Sequence, residues 1–285
     1  MKIMQVQNKV YFDKDKTLDN VKRMIENNFS DDIDFIALPE MFACPYDNKY
    51  FKEYGEEEGG KVWCFLRNLA IEYGVYLIGG SLPEIEYSPD KTQDSLDKIY
   101  NTGYIFDPKG NCIAKHRKKY LFDIDVEGGQ RFKESDVLTP GDKATVFDTD
   151  ICKCGVCICF DYRFPEICRE MALKGAKVIF VPASFNMTTG PAHWEIMFRS
   201  QSLNNQVFSV GTSPARDEEF SYISYGHSII TDPWGQKVSE SDEKQGVIIT
   251  DIDIDMVDKV RQELPLLTNV IKDKRYDRKC QKTNP

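Results

Sequence analysis

Helical and strand-like segments alternate along most of this chain, and that alternation limits its fold more than any other feature. Lys16 to Phe29 carries Leu18, Val21, Met24 and Ile25 at helical spacing, and Asp34-Phe-Ile-Ala-Leu then reads as a buried strand. Val62, Phe65, Leu66 and Leu69 mark a second helix, ended near Gly74 and followed by the strand Val75-Tyr-Leu-Ile-Gly. Lys98 to Phe106 and Cys112 to His116 read as hairpin partners around Asp107-Pro-Lys-Gly-Asn. Lys153 to Phe160 reads as a strand, and Pro165 to Lys174 as a helix with Pro at its start and Gly175 beyond its end. Further strands are expected at Lys177 to Ala183, Val207 to Thr212, Gly226 to Asp232 and Val247 to Ile254. Helices are expected over His193 to Asn205 and Met256 to Glu263. Helices between strands imply an α/β protein with helices covering sheet faces, and the hairpins make the sheets mixed. Asp123 to Asp142 reads as a long polar loop, a kind of segment that is often functional.

The 285 residues are 41% hydrophobic and 12% aromatic, enough apolar material for a substantial core. No linker or repeat divides them, so one domain is expected over residues 1–271, with 272–285 as a polar basic tail. Net charge is −9 and no basic stripe runs through the body of the chain, which excludes nucleic acid as an expected partner. No apolar run reaches the length of a membrane span. The start, Met-Lys-Ile-Met-Gln-Val-Gln, lacks the apolar stretch of a secretory signal, so a cytoplasmic protein is expected. Nine cysteines, an odd number, then read as reduced thiols.

Five of those cysteines cluster at Cys152, Cys154, Cys157, Cys159 and Cys168. The segment Gly155-Val-Cys-Ile-Cys-Phe-Asp-Tyr-Arg-Phe-Pro-Glu runs from a strand through a turn into a helix. A thiol at such a junction is exposed at the sheet end, near amides that can hold a developing oxyanion. Strand alternation puts Cys157 and Cys159 on one face, and position favours Cys159, at the strand's end. Local residues leave Cys159 open between nucleophile and plain core thiol. A zinc site on Cys154 and Cys157 lacks the second ligand pair that structural zinc wants. His116, His193 and His227 show no metal spacing and read as structural. No metal and no organic cofactor is expected.

The same segment resembles the cysteine motif of the nitrilase superfamily of carbon–nitrogen hydrolases. Leu38-Pro-Glu-Met-Phe resembles that family's glutamate motif, His116-Arg-Lys-Lys-Tyr-Leu-Phe its lysine motif, and Phe132-Lys-Glu-Ser the segment with a second glutamate. The resemblance runs from about Lys2 to Asp277. It implies a single-domain α-β-β-α sandwich that commonly forms homodimers. It also implies Cys159 as nucleophile, Glu40 as general base, Lys118 as oxyanion partner with the Phe160 amide, and Glu134 as a supporting acid. Two carboxylates and one ammonium leave the pocket net negative, so thiol deprotonation should be coupled to attack rather than precede it.

Within the family, Phe185-Asn-Met-Thr-Thr-Gly-Pro-Ala-His-Trp-Glu and Ser213-Pro-Ala-Arg-Asp resemble the ω-amidase branch. That branch hydrolyses the side-chain amides of α-ketoglutaramate and α-ketosuccinamate, implying a small acidic amide as substrate and a place in glutamine metabolism. An anionic substrate entering an acidic pocket needs a cation, and Arg163 is the candidate; its alternative is a pair with Glu166. Thr189 and the backbone after Phe185 are candidate hydrogen-bonding groups, and Tyr46 a candidate pocket wall. Runner-up readings are a sister amidase, such as a deaminated-glutathione, N-carbamoyl or aliphatic amidase, and a catalytically silent binding protein on the same scaffold.

Overall fold

The computed structural model describes residues 1–88 and 97–272. Its first sheet holds seven strands: β1 (Lys2–Gln7), β2 (Phe35–Ala37), β3 (Tyr76–Ile78), β4 (Leu82–Glu86), β5 (Lys98–Phe106), β6 (Cys112–Arg117) and β15 (Gly246–Asp251). A short hairpin follows, β7 (Asp123–Asp125) with β8 (Arg131–Lys133). The second sheet holds β9 (Thr145–Asp148), β10 (Lys153–Val156), β11 (Val178–Pro182), β12 (Phe208–Thr212), β13 (Ile229–Thr231) and β14 (Lys237–Glu240). The helices are α1 (Lys14–Glu26), α2 (Asn48–Tyr54), α3 (Lys61–Tyr73), α4 (Pro165–Leu173), α5 (Gly190–Asn205), α6 (Asp255–Glu263) and α7 (Leu266–Lys272).

Each sheet has a parallel centre and antiparallel flanks. β1, β2 and β3 run parallel, with α1 and then α2 and α3 as their connections. β10, β11 and β12 repeat the arrangement with α4 and α5. Parallel neighbours need such crossovers, and the crossovers put helices on one face of each sheet. Leu18, Val21 and Ile25 of α1 and Leu66 and Leu69 of α3 pack on Met4, Val6, Ile36 and Leu77. Ile167 and Met171 of α4 and Trp194 and Phe198 of α5 pack on Ile179 and Val181.

The opposite faces of the two sheets meet in a third core. Ile3, Phe35, Tyr76, Ile78 and Ile105 from the first sheet face Val156, Val178, Phe180, Phe208 and Val210 from the second. Phe35 stacks on both Tyr76 and Phe180, with ring centroids 5.2 and 5.3 Å apart. Strand alternation makes this possible: Ile179 and Val181 point to the helices while Val178 and Phe180 point to the other sheet. The expected α-β-β-α sandwich is therefore the observed architecture. Among the described residues no helix is long and apolar enough to cross a membrane.

Several expectations are corrected. The strand read over Lys153 to Phe160 ends at Val156, because the chain breaks into a 3-10 turn over Cys159–Arg163. The segment read as a loop over Asp123 to Asp142 holds the β7–β8 hairpin and a 3-10 turn at Glu134–Asp136. β1 was not expected as a strand, since Gln5 and Gln7 interrupt its apolar pattern. Both glutamines are buried, and their side-chain Nε2 groups donate to Gly211, Thr212, Asp242 and Lys244. The basic tail expected over 272–285 lies, beyond Lys272, outside the described residues.

Phe180 lies at the centre of the inter-sheet core. Phe180→Ala should cost about 3–5 kcal/mol, the range for emptying a packed aromatic site. Urea denaturation measures this; a loss below about 1 kcal/mol would mean that the two sheets do not depend on that contact.

Candidate active site

The chain reaches the site at the carboxyl ends of central strands from both sheets. Glu40 follows β2 in a turn held by close backbone approach. Ser81 N donates to Pro39 O at 3.1 Å, and Met41 N donates to Ser81 Oγ at 3.0 Å. Gly80 has φ +61°, and a Cβ there would lie 2.2 Å from Pro39 O, so only glycine lets the two turns meet. Lys118 follows β6, anchored through its own N–H to Asn101 O at 2.8 Å. Glu134 opens the 3-10 turn after β8.

These three side chains share one buried contact. Lys118 Nζ lies 2.9 Å from Glu40 Oε1 and 2.9 Å from Glu134 Oε2, and all three residues are fully shielded from solvent. The carboxylates have further donors. Asn101 Nδ2 donates to Glu40 Oε1 at 2.8 Å, Ser184 N to Glu40 Oε2 at 2.9 Å, and Phe122 N to Glu134 Oε2 at 2.6 Å. Tyr46 lines the pocket and is also part of this cluster. Its hydroxyl lies 2.5 Å from Glu134 Oε1 and 3.2 Å from Glu40 Oε1, and it accepts from Lys118 at 3.2 Å. Burial opposes the Lys118 ammonium, but Glu134 and Glu40 outweigh it and hold its pKa above the ordinary lysine value. Burial raises the Glu40 pKa; Lys118 opposes the rise and the Glu134 charge adds to it.

Cys159 begins the 3-10 turn with φ +47°, a left-handed backbone that a non-glycine residue adopts rarely. Its thiol and the Glu40 carboxylate are close enough for each to shift the other's pKa. Burial, then the Glu40 charge, drives the Cys159 pKa well above its usual value, against the pull of Lys118. The other thiols of the cluster have different partners. Cys157 and Cys168 belong to the helix-side core, and Cys154 lies in the inter-sheet core, 3.7 Å from the Cys152 sulfur. Cys154 and Cys157 thus face different cores.

Asp161 joins the Cys159 turn to the Lys118 loop. Its Oδ1 accepts from the N–H groups of Lys119 and Tyr120 at 3.0 and 2.8 Å. Its Oδ2 accepts from Ile158 N at 3.0 Å and lies 2.9 Å from His116 Nε2. His116 Nδ1 reaches Thr145 Oγ1 at 3.0 Å, so His116 has the structural role expected of it. Sequence reasoning missed Asn101, Ser184 and this Asp161–His116 link. A polar pair, Asn101-Thr102, inside an otherwise apolar strand was the available signal for the first.

Arg163 has no partner carboxylate among the described residues, and the expected alternative pair with Glu166 is absent there. Its guanidinium lies 4.6 Å from the centre of the Phe185 ring and 5.8 Å from that of Phe160, and Nη1 meets His193 Nδ1 at 3.0 Å. Burial and the Arg163 charge lower the His193 pKa, which suits a neutral ring accepting that bond. Thr189 spends its hydroxyl on Asn186 Oδ1 at 3.0 Å, next to the start of α5. A cavity of about 30 Å³, room for roughly two water molecules, is lined by Glu40, Met41, Cys44, Tyr46, Ser184 and Tyr222, among others. A larger one of about 460 Å³ opens beyond Tyr46 and Tyr222, along Asn48, Gln130, Phe132 and Lys133.

Asp161→Asn keeps the shape but turns an amide N–H₂ toward groups that donate. It should destabilise the protein by about 3 kcal/mol. Denaturant titration reads this directly, and a change within about 0.5 kcal/mol would show that the link is dispensable.

Comparisons with known proteins identify the family. The model of the carbon–nitrogen hydrolase family matches residues 3–262. Omega-amidase NIT2 of Xenopus tropicalis is 44% identical over 253 residues, 89% of this chain and 88% of that protein. Omega-amidase NIT2 of Homo sapiens is 42% identical over 242 residues, 85% of this chain and 83% of that protein. Among solved structures, Nit3 of Saccharomyces cerevisiae, a member of branch 10 of the nitrilase superfamily, superposes with a TM-score of 0.81. It is 37% identical, over 93% of this chain and 94% of that one. This chain belongs to the carbon–nitrogen hydrolase family, the nitrilase superfamily, and groups with its Nit2 branch.

Proposed function

We propose that this enzyme is an ω-amidase that hydrolyses dicarboxylate monoamides, α-ketoglutaramate and α-ketosuccinamate foremost, to the dicarboxylate and ammonia. The observation that carries the reading is the Cys159–Glu40–Lys118–Glu134 cluster with a carboxylate-free Arg163 beside it. The relatives named omega-amidase support the substrate class.

Cys159 is the nucleophile in this reading. At rest it keeps its proton, since burial and the neighbouring carboxylate both oppose a thiolate. As Sγ attacks the amide carbon, Glu40 takes the thiol proton and then delivers it to the departing ammonia. Lys118 and the Phe160 amide hold the developing oxyanion. Glu40, Glu134 and Tyr46 occupy the Lys118 ammonium at rest, so it trades part of one contact for the oxyanion. Glu134 and Tyr46 keep it charged and in place. Water, with Glu40 again as base, then hydrolyses the thioester.

Arg163 grips the substrate's distal carboxylate. Phe185 and His193 leave its fork oriented but without an anion, and an anionic substrate near Glu40 and Glu134 needs such a cation. The substrate enters from the side of the larger cavity, which shares Tyr46 and Tyr222 with the inner one. A cytoplasmic homodimer is the proposed setting, in glutamine metabolism; the eight described cysteines are all free thiols, as a reducing compartment requires.

Cys159→Ala should abolish ammonia release from α-ketoglutaramate, while Cys157→Ala keeps most of it. Equal losses would reassign the nucleophile. Glu40→Gln should be as damaging as Cys159→Ala. In the intact enzyme kcat/KM should fall toward acid with an apparent pKa above the ordinary glutamate value, because protonating Glu40 removes the base. An acid limb at or below the ordinary value would contradict this. Arg163→Ala should cost about 2–5 kcal/mol in kcat/KM on succinamate, and far less on a neutral amide of equal length. An equal loss on both would assign Arg163 to stability instead. Dialysis against a strong chelator should leave the rate unchanged, and a loss restored by zinc would contradict the metal-free mechanism.

A further inference from the structure

The mechanism uses one cysteine of the cluster and leaves four unexplained. Two of them, Cys157 and Cys168, lie in the helix-side core and are wholly buried, so no solute reaches them. The other two differ. Cys152 and Cys154 have sulfurs 3.7 Å apart, Cys154 is fully buried, and Cys152 is half-buried with an open side to solvent.

We propose that Cys152 and Cys154 form a dithiol–disulfide site oxidised by hydroperoxides, separate from Cys159. The β9–β10 turn holds the pair in place. Thr149 Oγ1 donates to Cys152 O at 2.7 Å and accepts from Cys152 N at 3.1 Å, so the backbone of Cys152 is fixed by two bonds to one side chain. The two cysteines flank Lys153 at the first residue of β10, and strand alternation turns both thiols to the same side. Closing from 3.7 Å to the disulfide length of about 2.05 Å asks for side-chain rotation at Cys152, the freer of the two.

The local charges favour Cys152 as the attacking sulfur. The hydrogen bond from Cys154 lowers its pKa, burial opposes that, and Lys177 and the N-terminal ammonium add to the lowering. Other thiols lack one requirement each. Cys64 is exposed, but its sulfur donates to the Gly59 carbonyl, and among the described residues no thiol partner is recorded for it. Cys159 has Glu40 as its partner rather than a thiol.

The chemistry balances with the hydroperoxide as the only co-reactant. The Cys152 thiolate attacks one peroxide oxygen, the O–O bond breaks, and the alcohol (water, for hydrogen peroxide) departs after taking a proton. Cys152 becomes a sulfenic acid. The Cys154 sulfur then displaces its hydroxyl, which leaves as water with the Cys154 proton. Two thiols have lost two electrons, and the peroxide has gained them.

The sequence offers a direct readout. Trypsin cuts after Lys153, between the two cysteines, so Ala144–Lys153 and Cys154–Arg163 separate in the reduced protein. The intact protein is treated with hydrogen peroxide, alkylated, digested and analysed by mass spectrometry. The expected result is the two peptides joined through Cys152 and Cys154, separated again by dithiothreitol, and lost in Cys152→Ser and Cys154→Ser but kept in Cys157→Ser. Cys64 oxidation reports that peroxide was sufficient. Unlinked peptides with Cys64 oxidised would overturn the proposal, as would linkage that persists in Cys154→Ser through Cys157 or Cys159. Cys152→Ser, at a half-exposed position, keeps the test decisive if the Cys154 variant fails to fold. None of these readouts depends on the ω-amidase reading.

Discussion

A lysine ammonium enclosed by two carboxylates, sealed from water, is the contact on which the rest of this site depends. Removing both glutamates would leave Lys118 with an unpaired buried charge, and removing Lys118 would leave two carboxylates facing each other. Further donors make the arrangement tolerable: Asn101 and Ser184 on Glu40, Phe122 N on Glu134, and Tyr46 between them. Burial, and then the Glu40 carboxylate, keeps the proton on Cys159. In the proposed mechanism the pocket is thus a poor place for a thiolate but a good place to transfer a proton during attack.

The fold supplies this contact by bringing two sheets together face to face. Glu40 leaves β2 and Lys118 leaves β6 of the first sheet, while Cys159 and Ser184 follow β10 and β11 of the second. A rigid inter-sheet core fixes their separation, and Asp161 ties the Cys159 turn to the Lys118 loop with four hydrogen-bond contacts. The left-handed backbone at Cys159 is a local strain that such a frame can sustain. Residues distant in sequence therefore share one site because the core around them leaves little freedom.

Much of this was legible in the sequence, for identifiable reasons. Helices such as α1 and α3 carry one apolar stripe, and β2, β3 and β11 are uninterrupted apolar runs, so periodicity alone finds them. β1 was missed because its buried Gln5 and Gln7 look like surface residues until their distant partners are known. The end of β10 was misjudged because Cys157-Ile-Cys-Phe continues an apolar pattern that the backbone does not follow; the turn is held by Asp161, which accepts from Ile158 N and is itself fixed by His116 and the Lys119 and Tyr120 amides. Glu40, Lys118, Glu134 and Cys159 were named through ordered motifs, whereas Asn101, Ser184 and the position of Tyr46 inside the cluster are long-range facts. No local pattern marks a backbone N–H, such as that of Ser184, as a carboxylate donor.

The protonation state of Cys159 tests the central claim most directly. Thiolate absorbance can be followed against pH in the substrate-free enzyme and compared with Cys159→Ser, the difference belonging to that thiol. The account predicts no Cys159 thiolate through neutral and mildly alkaline pH, because burial and Glu40 hold the proton on sulfur. A difference signal already developed at neutral pH would mean a resting thiolate paired with Lys118, and would contradict proton transfer coupled to attack.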